Sequence, residues 1–207
     1  MEHPSIKIIK GQKPILISAP HAVPIKRKNK EGGEHLKLKE GRVAEIVQKI
    51  SKDMKTWGVF TDYDTCLEDW DEHVLEIYKK KIKSIIDSNG ILLFIDIHGS
   101  RASRPFLVDY DFMLKKDHPG DLLLEKLINE HFSKHFHKKY ISNGFFRDIN
   151  GPGNKTLTYF VRTTCSIPAV QLELNQKVRN DEEYFSKLMD GLKNIIKKYE
   201  DSTSGIQ

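Results

Sequence analysis

Three short apolar stretches of this chain each lead into a residue suited to chemistry, and this restricts the fold more than any other feature. Ile91 to Ile95 is continuously apolar and is followed by Asp96, Ile97, His98 and Gly99. Pro14 to Ala19 runs Pro-Ile-Leu-Ile-Ser-Ala and is followed by Pro20 and His21. Pro168 to Asn175 reads Pro-Ala-Val-Gln-Leu-Glu-Leu-Asn and carries Glu173 inside it. Short apolar runs bounded by turn residues are the mark of strands covered on both faces. Helical periods alternate with them. Val43, Ile46, Val47 and Ile50 recur at spacings of three and four, as do Ile77, Tyr78, Ile82, Ile85 and Ile86. The pattern predicts an α/β protein, a three-layer α/β/α sandwich with a mixed central sheet. In an open sheet of that kind the carboxyl ends of the strands form the ligand crevice. His21, His98 and Glu173 are therefore expected at one edge.

The remaining segments are read in the same way. Ile6 to Ile9 and Ile15 to Ser18 are strands with Gly11 turning between them, and Pro24 to Gly33 is a polar loop. A helix takes over from Leu38, which places Glu40 in its first turn. Gly58 to Thr61 is a strand, Trp70 to Ile86 a helix closed by Ser88-Asn89-Gly90, and Pro105 to Tyr110 a strand. Pro119 to His137 is helical. Phe145 to Asn154 is a glycine-bearing loop, and Asn143 to Asn154 is a candidate lid. Thr156 to Arg162 and Ala169 to Leu174 are strands, Asp181 to Tyr199 is the closing helix, and 201–207 is a flexible tail. The first two and the last two strands lack a helix between them, which makes the sheet mixed. No repeat or linker divides the chain, so residues 1–207 are expected to form a single domain.

Composition narrows the partners. Lys and Arg number 34 against 29 Asp and Glu, a net charge of +5. That excess is small, and no basic surface interleaved with aromatics accompanies it, so no nucleic-acid partner is expected. There is no run of about 18 apolar residues and no leader segment, so no membrane partner is expected. Cys66 and Cys165 are too few for a disulfide framework and read as reduced thiols. The expectation is a cytoplasmic protein acting on a small molecule.

The chemistry follows from the strand ends. Asp96 and His98 are two apart on a strand and so share a face. A buried carboxylate needs a partner, and Asp96 is placed to accept one imidazole N–H and orient the ring. Pro20 fixes the approach to His21. A catalytic zinc site takes about three N/O protein ligands and keeps a position open. Glu31, Glu34, His35 and Glu40 are the nearby third ligands, and Glu40 is preferred because it sits on ordered backbone. Alternation sets Gln171, Glu173 and Asn175 on one face of their strand and Val170, Leu172 and Leu174 on the other. Glu173 on such a polar row suits a general base for metal-assisted amide hydrolysis. Arg101, Arg104, Arg162 and Arg179 lie near these segments, and guanidinium pairs bidentately with carboxylate, which favours an acidic amide or peptide substrate. Arg104, Arg162, Arg179 and Asn175 are the candidate substrate contacts. A metal-binding module without turnover is the alternative. A metal-free nucleophile finds little support: no G-x-S-x-G elbow is present, and nothing activates Cys165.

These segments together resemble the N-formylglutamate amidohydrolase family, zinc-dependent amide hydrolases with a fold similar to that of zinc carboxypeptidases. The likeness rests on Ser18-Ala19-Pro20-His21-Ala22-Val23, Lys37-Leu38-Lys39-Glu40, Asp96-Ile97-His98-Gly99, Arg104-Pro105-Phe106, and Gln171-Leu172-Glu173-Leu174-Asn175 with Arg179. The resemblance implies a three-layer α/β/α fold, a Zn2+ ion held by His21, Glu40 and His98, and Glu173 as the catalytic carboxylate. It also implies an N-acyl amino acid, N-formylglutamate-like, as substrate.

Overall fold

The computed structural model describes residues 6–28, 34–37, 39–62, 72–114, 118–150 and 156–203. Among these the apolar runs become the centre of a seven-stranded sheet. Strands β2 (Ile15–Ala19), β6 (Leu93–Ser100) and β9 (Ala169–Asn175) lie side by side and parallel. On one flank β5 (Trp57–Thr61) runs parallel to β2, and β1 (Ile6–Ile9) is antiparallel to β5. On the other, β7 (Val108–Asp111) is antiparallel to β9, and β8 (Ile141–Asn143) closes the edge parallel to β7. The α/β class and the mixed central sheet agree with the sequence reading. The mixing comes from β1 and β7, however, and not from a pairing of the last two predicted strands.

Period-two alternation divides the core. Ile15, Ile17, Ile95, Ile97, Leu172 and Leu174 pack in one cluster with α1 (Val43–Met54), α3 (Pro119–Phe132) and α7 (Glu182–Thr203). Leu16, Phe94 and Ala169 face the other way, against Tyr78 and Ile82 of α2 (Glu72–Asn89) and Leu157 of α5 (Leu157–Phe160). Further along the same three strands this second face turns polar: Ser18, Asp96, His98, Gln171 and Glu173 follow at the same parity, toward the carboxyl ends. Gly90, at φ 58, supplies the left-handed residue that ends α2.

Several local expectations give way. Where a loop is predicted from Pro24 to Gly33, β3 (Ile25–Lys28) pairs antiparallel with β4 (Glu34–Lys37) in a separate hairpin. Helix α1 begins at Val43, because Arg42 holds φ 66, a left-handed conformation no helix continues through; Glu40 therefore precedes the helix. Thr156 to Arg162, β-branched and aromatic enough to read as a strand, forms α5 and a π-helical turn (Val161–Cys165). The Thr156 hydroxyl accepts the Tyr159 N–H at 3.1 Å and caps that helix. Part of the predicted loop after Phe145 is helix α4 (Phe145–Asn150), and 151–155 lie outside the described residues. Helix α7 runs on to Thr203, so the first part of the expected tail is ordered; 204–207 lie outside. Glu31, Cys66 and Leu38 also lie outside the described residues. No helix among those described is long and apolar enough to cross a membrane.

The amino end of the sheet carries its own anchor. Arg162 Nη1 lies 2.6 Å from Asp121 Oδ1, and both side chains are buried. Gly120, next to Asp121, packs against Pro168, the residue before β9. Burial, with Asp121 nearby, pushes the Tyr199 phenol up to about 12. Removing one member of a buried ion pair strands the other. Asp121→Ala is expected to lower the unfolding free energy by about 3–5 kcal/mol, measured by urea denaturation. A loss below about 1 kcal/mol would mean that the pair behaves as an exposed one.

Candidate metal centre

The site is built at the carboxyl ends of β2, β6 and β9. Strand β2 ends at Ala19, Pro20 turns the chain, and His21 follows, 8% exposed. The His21 carbonyl accepts the Glu40 N–H at 3.0 Å, which brings the segment before α1 against the end of β2. Glu40 Oε2 in turn accepts the Gly99 N–H at 2.8 Å and lies 3.6 Å from His98 Nδ1. The His21 and His98 rings meet edge to face, centroids 5.1 Å apart. One ligand atom from each of His21, Glu40 and His98 falls within 4.8 Å of the other two. Two imidazole nitrogens and one carboxylate at that spacing form a donor set that zinc accepts.

Asp96, fully buried, meets the imidazole two residues on: His98 Nε2 is 3.0 Å from Asp96 Oδ2. That bond leaves Nδ1 toward Glu40. Burial alone would lower the His98 pKa, but the charge of Asp96 and its hydrogen bond, then Glu40 and Glu173, raise it to about 9. Glu173 is the register partner of His98 on the neighbouring strand. Its Oε1 accepts from Gln171 Nε2 at 2.9 Å. Gln171 received no role from the sequence, although its place two residues before Glu173 on the polar row was the available signal.

The structure separates the four predicted substrate contacts. Arg104 lines the cavity over this cluster, together with Arg101. Arg162 is at the opposite end of the sheet, engaged by Asp121. Asn175 is consumed by the backbone: its Nδ2 donates to the carbonyls of Arg101, Arg104 and Phe106, and its Oδ1 caps α6 (Gln176–Asn180) through Lys177 N–H. Arg179, 5% exposed, is likewise turned inward. Nε donates to the Leu174 carbonyl at 3.0 Å, Nη2 to the Ser100 carbonyl at 3.1 Å, and Nη1 to the Gly41 carbonyl. It ties the ends of β6 and β9 to the residue after Glu40. Burial pushes its pKa down, and Glu40 and Glu173 act against that.

The cavity has a volume of about 380 Å³ and is bordered by His21, Glu40, His98 and Glu173. No family model matches this chain, and no curated protein matches it. Solved structures of similar fold do. An N-formylglutamate amidohydrolase from Ralstonia eutropha JMP134 is 9% identical, with 98% of this chain and 100% of that one covered at a TM-score of 0.63. The gene product Atu2144 from Agrobacterium tumefaciens is 12% identical, over 97% and 96%, at 0.61. A metallo-carboxypeptidase from Burkholderia cenocepacia is 12% identical, over 95% of this chain and 61% of that one, at 0.55. At such identities the likeness is one of fold, and it agrees with the architecture expected from the sequence.

Two outcomes follow from this geometry. An imidazolium cannot ligate, so below its pKa of about 9 His98 must lose a proton before it binds a metal. Zinc affinity is expected to rise by about tenfold per pH unit up to that value and then level off, with proton release visible by calorimetry in two buffers. A pH-independent affinity would remove His98 from the ligand set. A Cβ on Gly99 would sit 2.7 Å from Arg179 Cζ and 2.9 Å from Glu40 Cβ. Gly99→Ala should therefore displace Glu40 and weaken zinc binding by about tenfold or more. Wild-type affinity in a folded Gly99→Ala protein would show that the Arg179 guanidinium gives way and Glu40 keeps its place.

Proposed function

We propose that this chain is a zinc-dependent hydrolase of an amide bond, acting on an N-acyl amino acid of the N-formylglutamate type or on a small peptide. The observation that carries this reading is the convergence of His21, Glu40 and His98 at ligand spacing, with Glu173 beside His98. Zinc bound there would polarise the amide carbonyl and make water more acidic. The side chains supply the rest. Glu173 accepts the proton of the attacking water at its carboxylate and returns it to the departing amine nitrogen. Gln171, donating to Oε1, keeps that carboxylate aimed into the cavity. Asp96 holds the His98 ring. Arg104 and Arg101 offer cationic donors to a substrate carboxylate.

The amidohydrolase and the metallo-carboxypeptidase of similar fold support this reading. An open cavity beside the cluster favours turnover over a metal-binding module. A thiol nucleophile is disfavoured, since burial pushes the Cys165 pKa up and its charged neighbours are Lys83 and Asp87, away from the cluster.

Zinc loading should produce hydrolysis of N-acyl amino acids, and a chelator should abolish it reversibly. Glu173→Gln is expected to lower kcat by about 10²–10⁴-fold while zinc content and KM stay close to wild type. Full activity after chelation, or a Glu173→Gln enzyme of normal kcat, overturns the proposal.

A further inference from the structure

The cavity is lined by two unlike kinds of surface. The metal cluster, Glu173 and Gln171 line it with polar groups, while Leu75 of α2, Phe146 of α4 and Leu157 of α5 contribute carbon. Leu157 is held in the α2-side core by its packing with Phe94 and Ala169. The position of Phe146 is built with more effort. Helix α4 has 6 residues, too few to be stable by itself. Its start is tied down by Asp109 of β7, which is fully buried and is the register partner of Glu173. One carboxylate oxygen of Asp109 accepts the Phe145 N–H at 3.1 Å, and the other accepts the Phe146 N–H at 2.9 Å. Phe145 meets Phe106 edge to face at 5.4 Å, and Arg147 Nη1 reaches Asp111 Oδ1 at 3.1 Å. Three consecutive residues of α4 are thus fastened to β7 or to the segment before it.

A buried carboxylate is costly to keep, and a capping Ser or Thr at an exposed helix start would do the local work. Here the carboxylate fixes the backbone of the residue whose ring lines the cavity, one strand beyond the general base. A rigid apolar wall facing a few convergent polar groups is how small-molecule sites select shape and polarity together.

We infer that the substrate carries a bulky apolar side chain that docks on Phe146 and Leu157. Its carboxylate meets Arg101 and Arg104. This inference rests on the amide-hydrolase reading and, among the N-acyl amino acids and small peptides proposed there, selects aliphatic or aromatic side chains in place of the acidic one of N-formylglutamate. Phe146 is the specificity-determining residue, and Asp109 is its positioning residue.

The test is calorimetric binding to the zinc-loaded full chain carrying Glu173→Gln, with N-acetyl-L-phenylalanine and N-acetyl-L-glutamate as probes. The phenylalanine derivative is expected to bind tighter by about tenfold or more. Adding Phe146→Ala should bring the ratio of the two affinities close to one, and Phe146→Leu should keep most of it. Equal or tighter binding of the glutamate derivative, binding of neither, or a ratio unchanged by Phe146→Ala overturns the inference. Turnover by the unmutated enzyme separates the two claims. Hydrolysis with a preference for the glutamate derivative leaves the enzyme standing and removes the apolar wall as its selector. An apolar binding preference without hydrolysis does the reverse.

Discussion

The in-register pairing of β6 with β9 is the constraint on which the rest of this molecule depends. It sets Asp96 beside Gln171, His98 beside Glu173 and Ser100 beside Asn175. Side chains alternate across a sheet, so a slip of β9 by one residue against β6 would turn Gln171 and Glu173 into the apolar core and Leu172 into the cavity. The register is therefore enforced from both faces at once. Ile95, Ile97, Leu172 and Leu174 require the α1, α3 and α7 side. On the other face Asp96 bonds His98 and Gln171 bonds Glu173 within their own strands, and a slip would carry the Glu173 carboxylate toward the apolar side.

That alignment crowds charge. Asp96, Glu40 and Glu173 all act on one imidazole, and each raises its proton affinity. Buried acids so close together are tolerable only with positive charge among them. In the metal-free protein the His98 proton and Arg179 provide it; a divalent cation would do so more strongly. The same electrostatics that would attract zinc thus also make protons its competitor.

Arg179 connects this centre to the scaffold. Its three donor nitrogens reach three carbonyls on three separate segments, a task a lysine ammonium on a single flexible stem could not share out in fixed directions. Arg42 extends the network: Nη1 donates to the Arg179 carbonyl at 3.0 Å, Nε reaches Glu45 at 2.7 Å, and the guanidinium lies 3.5 Å from the Phe185 ring centroid. Glu40 is placed by this double clamp and by Gly99, whose missing side chain leaves room for both Glu40 and the guanidinium.

The sequence by itself determined the strands that matter, which face each presents, and that His21, Asp96, His98 and Glu173 come to one edge of the sheet. Those are local facts: apolar runs and period-two alternation act within a few residues. It also narrowed the third donor to a few residues, among which the resemblance singled out Glu40. Only the tertiary structure decided that Arg162 stands at the far edge while Arg104 faces the cavity, because proximity in sequence says nothing about which end of a strand a residue lies near. Only it turned Thr156 to Arg162 from a strand into a capped helix, because Leu157 and Val161 are buried with Phe94, Ala169 and Tyr78 on the α2 side, and tertiary burial overrides the β-propensity of the segment. And only it assigned Arg179 and Asn175 to the backbone, because the carbonyls they satisfy are exposed by the ends of strands far apart in the chain.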